Sequence, residues 1–334
     1  MTRKNKLLYV IFIVAVAAAV LLIGAKNGDF AASVKAMLDI PRRYTLLCVL
    51  CVFGGILMQA LSAASALRAM GRSLPFARCC GISLLGEFYS FITPGASGGQ
   101  PMQIYHMHRC GVPIGDATTA LVVHYICYHS VLLAADVALG IAYRGFIAQQ
   151  VGANLPLLIF GFVFNLGLLS GALMLSFHQK PIRWLLRGVT GVMKKLKVGN
   201  PDHLQERCSV IADSFYRGTG FIARHRLELA RQVLFAAGRL LCLTSVFYFV
   251  YRGLGQSGAS YGKLTALGFM QYTSADYMPL PGASGAQEGI FSLYFDQLLP
   301  GDLMLSGLLT WRFITYYLVL IVGGIAAVWP NRRK

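Results

Sequence analysis

Pro94-Gly95-Ala96-Ser97-Gly98-Gly99-Gln100-Pro101 and Pro281-Gly282-Ala283-Ser284-Gly285-Ala286-Gln287-Glu288 share a pentapeptide and a later glutamine at the same spacing. Each interrupts an apolar stretch, 76–110 in the first case and 263–300 in the second. Neither arm of either stretch is a comfortable bilayer span of roughly 20 residues. Proline and clustered glycine at membrane depth free backbone groups, tolerated only where protein or a wet cavity satisfies them. Each stretch is therefore expected to be a re-entrant, broken helical hairpin.

The two breaks lie 187 residues apart (281 − 94). That offset carries the apolar run 44–67 onto 231–254 and the run 116–142 onto 303–329, and both land on further apolar runs. The chain is thus an internal duplication. Six runs qualify as spans: about 7–25, 44–67, 116–142, 155–177, 231–252 and 304–328. The expected fold is an all-α polytopic membrane protein with six transmembrane helices and two re-entrant hairpins. Repeat 1 covers 1–154 and repeat 2 covers 155–334. The run Leu7 to Ala25 follows a basic start and resembles a signal peptide, but its apolar core exceeds the usual 7–15 residues or so. It is read as a retained helix.

Charge sets the orientation. The chain carries 30 Lys and Arg against 13 Asp and Glu, a formal charge of +17, yet only 13% of its residues are charged. The basic residues lie between apolar runs, so the positive-inside rule and anionic lipid account for them without nucleic acid. The segment 178–232 holds eleven Lys or Arg and is expected to be cytoplasmic, with both termini. The first hairpin then enters from the cytoplasm and the second from outside, and the repeats have inverted topology. The loop 26–43, with Lys26, Lys35, Arg42 and Arg43, is a local exception. Within the basic segment 178–230, Ile182, Leu185, Leu186, Val189, Val192 and Leu196 share one helical face. They suit either an amphipathic helix on the inner leaflet or a connector packed on the helix ends. The cysteines form no framework and are read as free thiols.

Inverted repeats with broken helices bind substrate near the midplane, where half-helix N-termini suit an anion such as phosphate. The candidate binding residues are Pro94, Gly95, Ser97, Gly98, Gly99 and Gln100 in the first break. In the second they are Pro281, Gly282, Ser284, Gly285, Gln287 and Glu288. The glycines are expected to take φ > 0 or to let a headgroup approach the backbone, unless they merely form tight packing turns. Ionisable residues at membrane depth join them: Glu87, Arg239, Asp276 and Arg312. Glu87 is expected to pair or to carry a proton, and Glu288 is also favoured by the helix dipole alone. Arg312 suits bidentate phosphate contact, or else a salt bridge to Asp276 or Glu288. Asp136 is expected to pair with a buried arginine. His124 and His129 are spaced five apart and make a weak metal pair, so no metal or cofactor is expected.

The run GEFYSFITPGASGGQPMQIYHMHRCGVP, Gly86 to Pro113, resembles the signature of the lysylphosphatidylglycerol synthase transmembrane-domain, or flippase-like, family. PLPGASGAQEGIF, Pro279 to Phe291, is similar to that family's second motif. The resemblance implies a membrane region that flips an aminoacylated phospholipid outward. In the best-known members a cytoplasmic transferase domain follows, and the chain ends six residues after its last span, so that activity is not expected here. The expectation is a flippase-like transporter of an anionic or aminoacylated phospholipid in the cytoplasmic membrane. The alternatives are the membrane part of a phosphatidylglycerol lysyltransferase system and a scaffold for a separate lipid synthase.

Overall fold

The computed structural model describes residues 30–178, 201–275, 278, 280–299 and 301–328. The expected first span, the face at 182–197, Asp276 and the basic C-terminus lie outside the described residues. Those described are mostly helical, with no strand among them. A short helix α1 (Phe30–Leu38) precedes α2 (Arg42–Ala69), α3 (Phe76–Ile92), α4 (Gly99–Arg109) and α5 (Ile114–Ala142). There follow α6 (Arg144–Val151), α7 (Leu155–Phe177), α8 (Pro201–Arg224), α9 (Arg226–Gly253) and α10 (Tyr261–Ala275). The chain closes with α11 (Ala286–Phe295), α12 (Gly301–Arg312), a π-helical turn at Phe313–Tyr317, and α13 (Leu318–Val328).

Five stretches are long and apolar enough to cross a membrane: Arg42–Ala69, Ile114–Ala142, Arg144–Phe177, Arg226–Gly253 and Leu303–Val328. They contain five of the six expected spans, and the chain is a membrane protein. At about 1.5 Å per residue, α3 and α4 reach only about 26 and 16 Å, short of a core of about 30 Å. By the same measure α10 and α11 reach about 22 and 15 Å. Within the first pair the chain doubles back: a Cβ on Gly86 would strike Gln103, and one on Gly99 would strike Ser90.

The most extensive helix–helix interface among the described residues joins α2 to α9, the two helices that the 187-residue offset makes equivalent. They run antiparallel, because Cys48 reaches Val246, Gln59 reaches Arg239 and Ser62 reaches Gln232. In lipid, close packing of small residues drives such association more than apolar burial does. Gly54 and Gly55 supply it, since a Cβ on either would sit 3.3 Å from Cys242 Sγ or 3.7 Å from the Arg239 carbonyl. Packing then recurs between the halves: α2 lies against α3 as α9 lies against α10. A stacked aromatic core, Phe247, Phe291, Phe295 and Trp311, holds α11 to α9 and α12.

The described part of the basic segment, α8, packs on the start of α5. Ser214 donates to Asp116 Oδ1 at 2.9 Å, and Arg72 Nε donates to Asp116 Oδ2 at 2.8 Å. This part packs on neighbouring helices, while the face at 182–197, for which the two readings were weighed, lies outside the described residues. The outer face of α7 is apolar and exposed at Ile159, Phe160, Val163 and Phe164, as a lipid-facing helix requires.

Candidate functional site

The two breaks touch. Every Cα of Pro94–Ala96 lies within 8 Å of every Cα of Pro281–Ala283. Their backbones begin alike: Gly95 and Ala96 have φ of 58° and 54°, and Gly282 and Ala283 have 60° and 48°. An alanine in the left-handed region is strained by roughly 1–2 kcal/mol, and here the strain occurs twice at the same place. Such strain persists only where the surroundings over-determine it, and it clusters at functional sites.

After the alanines the turns diverge. Gly285 has φ 88°, as expected, and a Cβ there would meet only Leu280 Cδ1, at 4.0 Å. Gly98 has φ −83°, a conformation any residue adopts, so the expectation of positive φ there is corrected. Its glycine is required by space instead: a Cβ would lie 2.6 Å from Thr93 Cγ2 and 3.2 Å from the Tyr89 carbonyl. The same two equivalent amides are satisfied by unrelated side chains. Gly98 N donates to Thr93 Oγ1 at 2.8 Å, and Gly285 N donates to Glu288 Oε2 at 2.6 Å. Thr93 precedes its break whereas Glu288 follows its own.

Around the second break, Arg312 is buried and holds three groups. Its Nε donates to Glu288 Oε1 at 2.6 Å, and its Nη2 donates to the Gly282 carbonyl at 3.2 Å and reaches Ser284 Oγ at 3.5 Å. Of the two partners weighed for its salt bridge, Glu288 is the one found. The π turn at Phe313–Tyr317 follows Arg312 directly, and such turns are frequent at functional sites. It brings Tyr316 over the Gly282 backbone, where a Cβ would lie 2.2 Å from the ring. The Tyr316 hydroxyl donates to the Phe91 carbonyl at 3.2 Å, tying the last span to the first hairpin.

A second ion pair serves the first hairpin. Arg239 Nη2 donates to Glu87 Oε1 at 2.6 Å, and its Nη1 donates to Gln59 Oε1. Both ion-pair side chains are largely but incompletely withdrawn, at 14% and 16% exposure. The Arg239 guanidinium lies 5.7 Å from the Tyr128 ring centre. This pair joins the first hairpin to α9, across the two halves, whereas Arg312–Glu288 lies within the second half. Asp136 accepts a hydrogen bond from Thr273, while the buried arginines take Glu87 and Glu288; the expected arginine partner is corrected accordingly.

The remaining expected residues separate by environment. Pro94, Gly95, Ser97 and Gln100 are exposed at the first tip, while Gly99 is buried against Ser90. Pro281 and Ser284 are half-buried, and Gln287 is buried, its Oε1 accepting from Gln271 Nε2 at 3.5 Å. The equivalent glutamines 100 and 287 therefore do different things. Thr93, Gln59 and Tyr316 were not legible as site residues. A threonine directly before a proline turn is a capping signal, but Leu280 occupies the matching place and hides it from comparison of the repeats.

A profile described as "Lysylphosphatidylglycerol synthase TM region" matches residues 9–323 of the chain. No curated protein matches it.

Proposed function

The chain belongs to the lysylphosphatidylglycerol synthase TM region family, and from that premise we propose that it translocates a phospholipid with an anionic or aminoacylated headgroup across the cytoplasmic membrane. The observation that carries this reading is the meeting of two strained, glycine-rich breaks, each with a hairpin carboxylate paired to an arginine of a neighbouring helix. In this reading 1–154 and 155–334 are inverted repeats, supported by the antiparallel packing of the equivalent helices α2 and α9. The hairpins are re-entrant, supported by arms too short to cross. The basic segment 178–230 and both termini face the cytoplasm.

The headgroup lies between the tips. Its phosphate takes the Arg312 guanidinium, with Ser97, Ser284 and the backbone amides of the breaks as further donors. Drawing Arg312 away leaves Glu288, half-withdrawn from water, without its counter-charge, which carries a cost. An aminoacylated headgroup avoids this, because its ammonium takes the carboxylate as its phosphate takes the guanidinium. Glu87 and Arg239 offer the same exchange on the other hairpin. Alternatively, Glu87 or Glu288 carries a coupling proton. Translocation of labelled phosphatidylglycerol and its lysyl ester in reconstituted vesicles tests the reading, and vesicles no faster than protein-free controls would refute it.

A further inference from the structure

A pocket of about 310 Å³ lies between the α5–α6 corner and the first turn of α10, and it shares no lining residue with the breaks. Tyr143, Arg144, Phe146 and Gln149 line it from the corner and Lys263 from α10. Its walls are held close. A Cβ on Gly262 would lie 2.1 Å from the Tyr143 hydroxyl, so a glycine lets α10 approach the corner. Gln297 Nε2 donates to the Gln149 carbonyl at 3.3 Å, tying α6 to the segment after α11. The Lys263 ammonium stands 5.4 Å from the Phe146 ring centre, a cation–π contact that keeps it at the wall.

The charge of this pocket has one sign. Arg144 and Lys263 line it, and no Asp or Glu does. Neither cation forms an ion pair among the described residues, unlike Arg72, Arg239 and Arg312. A concavity that gathers two cations without a counter-charge focuses a field complementary to an anion. In the orientation proposed above this is the outer end of the helices, where the positive-inside rule gives no reason for cations. The 187-residue offset puts Phe76 and Asn331 in the equivalent places, so the pair is not duplicated.

The surroundings indicate which anion. The last turns of α5 expose Val137 and Ile141, four apart on one face, at 50% and 70%. That helix is among those apolar enough to cross a membrane. Tyr143 and Tyr261 stand at this end, as tyrosines do at a membrane boundary. The volume is at the low end of the roughly 300–1,000 Å³ of ligand pockets, room for a headgroup but not for acyl chains. We propose that the pocket holds the phosphate of an anionic phospholipid at the membrane boundary, a second lipid site apart from the breaks. Arg144 and Lys263 take the phosphate oxygens, Gln149 and Tyr143 hydrogen-bond the rest of the headgroup, and the chains lie along Val137 and Ile141. Its outer position rests on the proposed orientation; as a binding site it stands without translocation.

The test places a fluorophore on Ile141→Cys in a cysteine-free background of the full chain, reconstituted in phosphatidylcholine vesicles. Quenching by brominated-chain phosphatidylglycerol is compared with quenching by brominated-chain phosphatidylcholine. The intact pocket should favour phosphatidylglycerol on the order of 20-fold, about fivefold for each cation near the surface. Arg144→Gln and Lys263→Gln should each remove about fivefold, and together bring the ratio to about one. Arg252→Gln, at the end of α9 outside the pocket lining, should leave it unchanged. Equal quenching by the two lipids overturns the proposal, as does a preference that survives the double substitution or falls equally in Arg252→Gln. Displacement by low-millimolar inorganic phosphate at constant ionic strength would assign the pocket to a free anion and overturn the lipid. A preference without translocation would leave this site standing and refute only the transport reading; translocation without a preference at Ile141 would refute this site alone.

Discussion

Arg312 and Glu288 meet at 2.6 Å beside the second break, and the same guanidinium holds the Gly282 carbonyl at 3.2 Å. The carboxylate in turn receives the Gly285 amide. One ion pair therefore fixes both the left-handed start of the turn and the first turn of α11. A residue placed to bind a headgroup is also the clasp of the loop that would bind it, and the two roles separate by measurement.

Arg312→Gln should destabilise the protein toward the low end of the roughly 3–5 kcal/mol seen when one partner of a buried pair is removed. Glu288 keeps some water and its bond to Gly285, which limits the loss. Adding Glu288→Gln should recover part of it, with a coupling energy of about 0.5–3 kcal/mol in a double-mutant cycle of chemical unfolding. Strict additivity would mean that the pair does not hold the turn.

Lipid binding should respond separately. Losing a charge-assisted contact worth roughly 1.5–3 kcal/mol lowers affinity by about 10- to 150-fold at about 1.4 kcal/mol per decade. Arg312→Lys should rescue only in part, because an ammonium lacks the planar fork. Binding of labelled phosphatidylglycerol to folded Arg312→Gln at wild-type strength would leave Arg312 as a clasp only.

Gly98 and Gly285 should fail for different reasons. Both Gly98→Val and Gly285→Val should stop translocation in protein that still inserts. Gly98→Ala should be partly rescued by Thr93→Ser, which removes the methyl 2.6 Å away and keeps the hydroxyl that receives the Gly98 amide. Gly285→Ala should cost about 1–2 kcal/mol from its φ of 88°, with no neighbouring side chain able to relieve it. Equal rescue of both by Thr93→Ser would contradict the space argument, and melting temperatures of the four variants decide it.

Glu87→Gln separates two roles for the first hairpin. If Glu87 carries a coupling proton, its neutral mimic should bind lipid normally and lose the pH dependence of translocation. If it holds an amine, the change should cost affinity for the lysyl ester and spare phosphatidylglycerol. Wild-type behaviour in both assays would assign Glu87 to structural pairing with Arg239 alone.

The breaks were legible in the sequence because a repeated Pro-Gly-Ala-Ser-Gly interrupts two apolar runs, and the hydropathy of 44–67 or 231–252 needs only composition and length. The partners were less legible. Arg239 and Glu87 are 152 residues apart, and nothing local in either run says that α9 crosses behind the first hairpin. Gly98 misled because an identical pentapeptide invites identical dihedrals. The turn is set by which side chain reaches the amide, Thr93 or Glu288, and both lie outside the repeated letters. Asp136 was read as an arginine partner because charge suggests charge. The hydroxyl of Thr273 comes to it from an arm whose end only the fold places there.

Impermeant thiol labelling in a cysteine-free background tests whether the repeats are oppositely oriented. Single cysteines in loops 68–74 and 255–261 should label from opposite faces of sealed membranes. Labelling of both from one face would contradict inversion.

The central claim is that a headgroup passes between the touching breaks, and one measurement addresses it most directly. Ala96→Cys/Ala283→Cys in a cysteine-free background, reconstituted into vesicles, is joined by a short reducible thiol crosslinker while movement of labelled lysyl-phosphatidylglycerol between leaflets is followed. The account predicts protein-dependent movement before crosslinking, arrest on crosslinking and recovery on reduction. Movement at the same rate with the tips joined would contradict it.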